Sequence, residues 1–162
     1  KVVLAEEGVE VDLIRERKSR EVDVSTLRKP MAFVGMPGVA NVGKMAALAI
    51  AKGLKCAKIA EIFCTDSPPS VEIKKDGRPS LPHGLLYFSS GSDSPRDIFV
   101  FTGDFQPSNN VGQYEYSDYI ASTCKNYNVE LLVALAASVC GFIPVERKVW
   151  VTGTSSELIE LF

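Results

Sequence analysis

Histidine is nearly absent from this chain, and its scarcity narrows the chemistry the chain can support. His83 is the one histidine in 162 residues, and the four cysteines (Cys56, Cys64, Cys124 and Cys140) are scattered with no C-x-x-C pair. A zinc site needs four closely spaced nitrogen and sulfur ligands, so no metal site is expected. Reduced thiols of a cytosolic protein are the simplest reading. No apolar run approaches the ~20 residues of a membrane span. Lys1 to Asp12 lacks the apolar stretch of a signal peptide, so a cytoplasmic location is expected. Net charge is also small, at −2. There is no basic footprint for nucleic acid and no block of like charge; the densest charged stretch, Arg15 to Arg20, mixes signs and reads as a solvated turn. No pair of carboxylates stands out for glycoside or proton chemistry, and no internal repeat or low-complexity tract is present.

The chain does have enough apolar material for one ordinary domain. At this length a folded chain buries roughly 68–70% of its unfolded surface, which requires no disulfide or metal staple. The most informative stretch is Met31 to Leu54, MAFVGMPGVANVGKMAALAIAKGL: an apolar strand, a glycine-punctuated turn and an alanine-rich helix. Across Gly38 to Met45 the turn nearly spells the phosphate-binding pattern Gly-x-x-x-x-Gly-Lys-[Ser/Thr]. Met45 stands where that pattern needs a hydroxyl to hold Mg²⁺. Two readings follow. A helix N-terminus with unpaired N–H groups can seat an anion. Alternatively, Gly35, Gly38 and Gly43 allow a tight turn and close packing of helix on strand.

Periodicity supplies the other elements. Val9 to Arg15 alternates as a strand does, with Val22 to Val24 pairing nearby, and Met31 to Met36 has the continuous apolarity of a buried parallel strand. The helix after the glycine turn has a polar face of little more than Lys44 and Lys52, so it is expected to be largely buried, with Gly53 as its stop. Lys58 to Phe63, Leu85 to Phe88, Ile98 to Phe101, Leu131 to Ala136 and Val149 to Thr152 read as further strands. Val71 to Pro82 reads as a hairpin turning at Asp76-Gly77. Gln113 to Tyr127 is the best amphipathic helix, with Tyr116, Tyr119, Ile120, Thr123, Cys124 and Tyr127 on one side. Thr154 and Glu157 have capping-box spacing for a last helix. The expected fold is a three-layer α/β/α sandwich around a mixed, mostly parallel sheet with an inserted hairpin. The chain is expected to be one domain over residues 1–162, incomplete at its C-terminus.

Ligands of open α/β sheets bind beyond the C-terminal strand ends. Three loops are expected to meet there: Met36 to Gly43, Thr102 to Gly112 and Ala137 to Pro144. Asp104 either supports a metal or makes turn hydrogen bonds. Cys140 follows a strand, as a nucleophile can, but nothing in the sequence brings His83 to it as a base. The residues expected to form a ligand or interaction site are Gly35, Pro37, Gly38, Asn41, Gly43, Lys44, Asp104 and Gln106. Exposed Phe88 and Phe105 are expected to serve an interface.

Several segments then read together: Gly35-Met-Pro37-Gly38-Val-Ala-Asn41-Val-Gly43-Lys, Asp66-Ser-Pro68-Pro69-Ser-Val-Glu-Ile, Phe99-Val-Phe-Thr-Gly103-Asp104-Phe105-Gln106-Pro107 and Gly112-Gln113-Tyr114-Glu115-Tyr116. In this order, spread from about Met31 to Thr154, they resemble the PAC2 (proteasome assembly chaperone 2) family, in particular its archaeal branch. The resemblance implies a phosphorylase/hydrolase-like α/β fold and a non-enzymatic chaperone without cofactor. It also implies 20S proteasome α-subunits as partners and a homo-oligomeric state. Proteasome-binding members of that family can carry a C-terminal hydrophobic-Tyr-x tail, whereas this sequence ends Glu160-Leu161-Phe162. The alternative is a nucleotide- or phosphate-ligand-binding enzyme that uses the Gly38 to Lys44 turn.

Overall fold

The computed structural model describes residues 2–3, 10–11, 13–91, 94–141, 146 and 148–161. In chain order its strands are β1 (Val2–Val3), β2 (Glu10–Val11), β3 (Ile14–Lys18), β4 (Met31–Val34), β5 (Ala57–Cys64), β6 (Glu72–Ile73), β7 (Pro79–Ser80), β8 (Gly84–Ser89), β9 (Ile98–Gly103) and β10 (Leu131–Ala134). The α-helices are α1 (Val42–Gly53), α2 (Asn110–Asn126) and α3 (Ser156–Ile159). The main sheet has the order β10-β4-β9-β8-β5-β3.

Connections explain the strand directions. β4 reaches β5 through α1, and β9 reaches β10 through α2; these helical crossovers preserve direction. The steps from β5 to β8 and from β8 to β9 contain no helix, and they reverse it. Pairings β10–β4 and β4–β9 are therefore parallel, while β9–β8, β8–β5 and β5–β3 are antiparallel. The sheet is mixed as expected, but the expected majority of parallel pairings is corrected.

Alternation along β9 separates two cores. Ile98 and Val100 pack with Ala47 and Ala51 of α1, while Phe99 and Phe101 join Ile62, Leu86 and the α2 residues Tyr116, Ile120 and Cys124. Helices thus cover both faces, giving the α/β/α layering. The tyrosine stripe of α2 lies on the sheet: Tyr127 stacks on Phe99 with ring centroids 4.6 Å apart. Burying phenylalanines such as Phe99 and Phe101 stabilises the fold by roughly 1.5–3 kcal/mol each. Asp97 ties β4 and β9 together at their N-terminal ends. Its buried carboxylate accepts from the Arg28 backbone N–H at 2.7 Å and from the Arg28 guanidinium at 2.9 Å. The hairpin β6–β7 turns at Asp76-Gly77, with Gly77 at φ 79°.

Several local expectations are corrected. Val22 to Val24 is not a strand. A 3-10 turn spans Val24–Thr26, capped by Asp23, whose carboxylate accepts from the Ser25 N–H at 2.9 Å. Val149 to Thr152 is not paired as a strand, and Val149 and Trp150 lie exposed. The last helix is capped by Ser155, not Thr154: the Ser155 hydroxyl accepts from the Leu158 N–H. Of the expected strand Val9 to Arg15, residues 9 and 12 lie outside the described residues; Glu10 and Val11 form β2, Leu13 is a bend, and Ile14 and Arg15 begin β3. Helix α1 is not largely buried. Gly43, Ala47 and Ala51 face the sheet, whereas Val42 and Met45 are exposed. Its contact face is made of small residues, which leaves the larger apolar side chains outside.

Candidate functional site

The glycine turn is shaped by close approach. A Cβ on Gly35 would stand 2.1 Å from the Gly43 carbonyl oxygen and 2.9 Å from Ala47 Cβ. A Cβ on Gly43 would stand 2.3 Å from the Leu135 carbonyl oxygen. Those two glycines let α1 lie against the ends of β4 and β10. Gly38 is different: the nearest atom to a Cβ there is Gln106 Oε1, at 3.9 Å. Before the helix, Ala40 and Asn41 adopt left-handed backbone at φ 48° and 55°, and the Asn41 N–H donates to the Gly38 carbonyl at 3.0 Å. The Asn41 side chain makes no capping bond, so the first turn of α1 is left without a side-chain cap.

Lys44 turns towards the loop after β9. Its ammonium lies 3.4 Å from Asp104 Oδ1, with both side chains roughly a quarter exposed. Asp104 Oδ2 is 3.6 Å from Nδ1 of buried His83. The same Nδ1 lies 2.7 Å from the Leu81 carbonyl, an acceptor, so Nδ1 carries the proton. His83 Nε2 faces Glu61 Oε1 at 3.9 Å, and the ring stacks on Phe63. Glu61 in turn is bound by Lys58 at 2.5 Å and by the Arg17 guanidinium. The Lys58 hydrogen bond, aided by Arg17 and opposed by partial burial, holds the Glu61 carboxyl down at about 2.

A β-bulge makes this charge line possible. In the β5–β8 pairing Lys58 opposes Tyr87 and Ala60 opposes Leu86, so Ile59 is the extra residue. Without it, Lys58 and Glu61, three apart, would project from opposite faces of the strand. Both Ser19 and Arg20 donate backbone N–H groups to the Ile59 carbonyl, which fixes the irregularity.

A groove of about 320 Å³ lies on the other face, between α2 and the β4–β10 side of the sheet. Met36, Gln106, Gln113, Tyr116, Ile120 and Leu132 line it. At its end Asp66 anchors the start of α2, accepting from the Ser108 and Asn109 N–H groups at 2.9 and 3.1 Å and from the Asn109 side-chain amide. A Cβ on Gly112 would stand 2.5 Å from Asp66 Oδ2, which accounts for glycine there. One on Gly84 would meet the buried Tyr116 hydroxyl at 1.8 Å.

The structure therefore brings together two of the three loops expected to meet: Lys44 pairs with Asp104, and Gly38 neighbours Gln106. Pro37 is half-buried beside them. The third loop, Ala137 to Pro144, lies partly outside the described residues. Cys140 follows β10 and His83 precedes β8, three strand positions or roughly 14 Å across the sheet, so the geometry lends nothing to a Cys–His pair. The buried Cys124 thiol is pushed up to about 11 by desolvation, as suits a structural thiol. Phe88 and Phe105 are corrected from interface residues to core: Phe88 packs on Phe99 at 4.8 Å, and Phe105 meets Tyr116 edge-on. Glu61 and Asp97 escaped sequence reading, and Asp66 stood only as the first residue of a family-bearing segment, with no sign that it would anchor α2.

An α/β/α fold with packed glycines at its first crossover and no group of three metal-ligating side chains among the described residues defines a broad class of domain. Comparison with known proteins narrows it. Residues 32–162 match the model of the PAC2 family, and the chain belongs to that family. An uncharacterized protein of Methanocaldococcus jannaschii is 29% identical over 136 residues, covering 84% of this chain and 52% of the relative. Among solved structures, Pyrococcus furiosus PbaB, an archaeal proteasome activator, is similar with TM-score 0.68 and 24% identity, over 76% of this chain and 51% of that one. PbaA of the same organism, an archaeal homolog of proteasome-assembly chaperone, is similar with TM-score 0.60 and 23% identity, over 82% and 52%. At these identities the structural likeness establishes the fold. The chain spans about half the length of the relatives it matches.

Proposed function

We propose that this chain acts as a proteasome-assembly-chaperone-type binding module that engages 20S proteasome α-subunits as a homo-oligomer, without chemistry of its own. The observation that carries the reading, alongside family membership, is the surface of the glycine turn. Val39, Val42 and Met45 are 47%, 45% and 64% exposed and adjoin Lys44. An apolar stripe of this kind, rimmed by charge, suits a protein interface better than a small-ligand site. In this reading Gly35 and Gly43 are packing residues, while Pro37, Gly38, Asn41, Lys44, Asp104 and Gln106 present the loop pair to the partner. Native gels of the chain with proteasome α-subunits test it, with Val42→Lys and Met45→Lys expected to abolish a complex that the unsubstituted chain forms. Lack of association at micromolar concentration would count against the reading.

The pairing of Lys44 with Asp104 beside a helix N-terminus favours a second reading, a phosphate-bearing ligand held at the Gly38 to Lys44 turn. Such a ligand at a hundred times its Kd would stabilise the protein by about 2.7 kcal/mol. Lys44→Ala would abolish that gain. A flat thermal-shift profile across nucleotides and sugar phosphates removes this reading and leaves the first intact.

A further inference from the structure

The hairpin β6–β7 does not owe its order to its own strands. Each strand has two residues, and an isolated pair of strands is marginal in water. Its apolar side chains Val71, Ile73 and Leu81 are exposed, so burial adds little. The hairpin is held by its two legs, and both are tied to one loop, residues 104–109, between β9 and α2. In the first leg Asp66 accepts from the Ser108 and Asn109 N–H groups at 2.9 and 3.1 Å. In the second leg the His83 carbonyl accepts from the Asp104 N–H at 3.0 Å, and the His83 ring fixes Leu81 through Nδ1. The same Asp104 pairs with Lys44 of α1.

We propose that residues 104–109 are a relay that couples the hairpin to the glycine turn, so that displacing one loosens the other. The loop passes round the end of the sheet. Asp104 meets Lys44 on the α1 side, and Ser108 and Asn109 meet Asp66 on the α2 side. Between these ends Phe105 and Pro107 are buried, Phe105 sits edge-on to Tyr116, and the Pro107 carbonyl accepts from the Gln113 side chain at 3.2 Å. Pegged at its middle and bonded at both ends, the loop moves as one body. The glycine turn is the softer party. Ala40 and Asn41 hold left-handed backbone with no side-chain cap on α1, a conformation that persists only where its surroundings hold it. Lys44 is the tie between that turn and the loop. No hydrogen bond or ion pair joins Lys44 to Asp66 among the described residues, so an effect of one on the other passes through residues 104–109. The coupling is independent of what either surface binds, and hence of the proteasome reading above.

Amide hydrogen exchange of the full 162-residue chain, resolved by residue with nuclear magnetic resonance, tests the relay. Asp66→Ala should speed exchange at Asn41 and Val42, whose N–H groups donate to the Gly38 and Val39 carbonyls, by roughly 2- to 30-fold. Lys44→Ala should do the same at Ser67 in the first leg and at Ser108, because a coupling free energy is reciprocal. Asp66→Asn keeps one acceptor oxygen and should give a smaller effect of the same sign; it supplies the first arm if Asp66→Ala does not fold. Asp97→Ala is the control. It removes an anchor at the opposite end of the sheet and should leave these amides unchanged, since they exchange by local opening. Unchanged exchange at the distant site, or acceleration in one direction only, overturns the proposal. Equal acceleration in Asp97→Ala overturns it too, because general loosening would then account for the effect.

Discussion

Replacing Gly35 by alanine is the sharpest test of what the glycine turn does. The added carbon would stand 2.1 Å from the Gly43 carbonyl oxygen and 2.7 Å from the Gly43 carbonyl carbon, both backbone atoms that cannot rotate away. Relief requires α1 to lift from the sheet, which loosens Ala47 and Ala51 from Ile98 and Val100. Overpacking of this kind costs about 1–3 kcal/mol, and rigid backbone on the receiving side argues for the upper end. In a domain of this length each kcal/mol lowers Tm by about 2–4 °C, so a fall of roughly 6–12 °C is expected. Gly43→Ala meets the Leu135 carbonyl at 2.3 Å. Its loss should be slightly smaller, because alanine inside a helix regains about 1 kcal/mol over glycine. Gly38→Ala is the control: its Cβ has nothing closer than 3.9 Å, and the residue's φ of −171° is ordinary extended backbone. Thermal unfolding followed by circular dichroism reads all three. Wild-type Tm in the Gly35 and Gly43 variants, with a loss confined to Gly38→Ala, would refute the packing argument and point to a turn shaped for a ligand.

Other perturbations test the charge line and the anchors. Glu61 is held at about 2 against an ordinary value of 4.5. Its contribution is therefore complete above about pH 4.5 and is lost as pH falls towards about 2. The shift sets a ceiling of roughly 3 kcal/mol, which the exposure of Arg17 and Lys58 reduces to about 1–2. Glu61→Gln should lower stability by that amount at pH 7 and flatten the acid limb of denaturant midpoints against pH; an acid limb parallel to wild type would remove Glu61 from the account. Asp97→Ala leaves the partly buried Arg28 backbone donor without its acceptor, while the half-exposed guanidinium keeps the Gly91 carbonyl, and should cost about 1–3 kcal/mol, visible as a lower urea midpoint. Asp66→Ala removes the acceptor for Ser108 and Asn109 at the start of α2. A loss of about 1–2 kcal/mol is expected, with faster amide exchange in the first turn of that helix; unchanged exchange there would show that Asn109 caps the helix alone.

The sequence by itself determined the elements whose signal is local. Ile98 to Phe101 is apolar at every position because both faces of β9 are covered. The 3.6-residue stripe of Tyr116, Ile120, Thr123 and Cys124 fixed which side of α2 meets the sheet, and Asp76-Gly77 fixed the hairpin turn. The ordered motifs also fixed the family. Tertiary structure alone decided what depends on partners distant in the chain. Alanines and glycines on α1 read as a buried helix, yet small side chains make a narrow contact, and Met45 stays outside. Phe88 and Phe105 gave no indication that Phe99 and Tyr116 would cover them. The extra residue Ile59 shifts the side-chain parity of β5, and so only the folded pairing with β8 could place Lys58 and Glu61 on one face. Strand direction followed from which connections contain a helix, whereas the meeting of Lys44, Asp104 and His83 followed from how β4, β8 and β9 line up in the sheet. Propensity and periodicity act over a few residues and are written in the chain; register, burial and charge pairing arise only when remote segments pack.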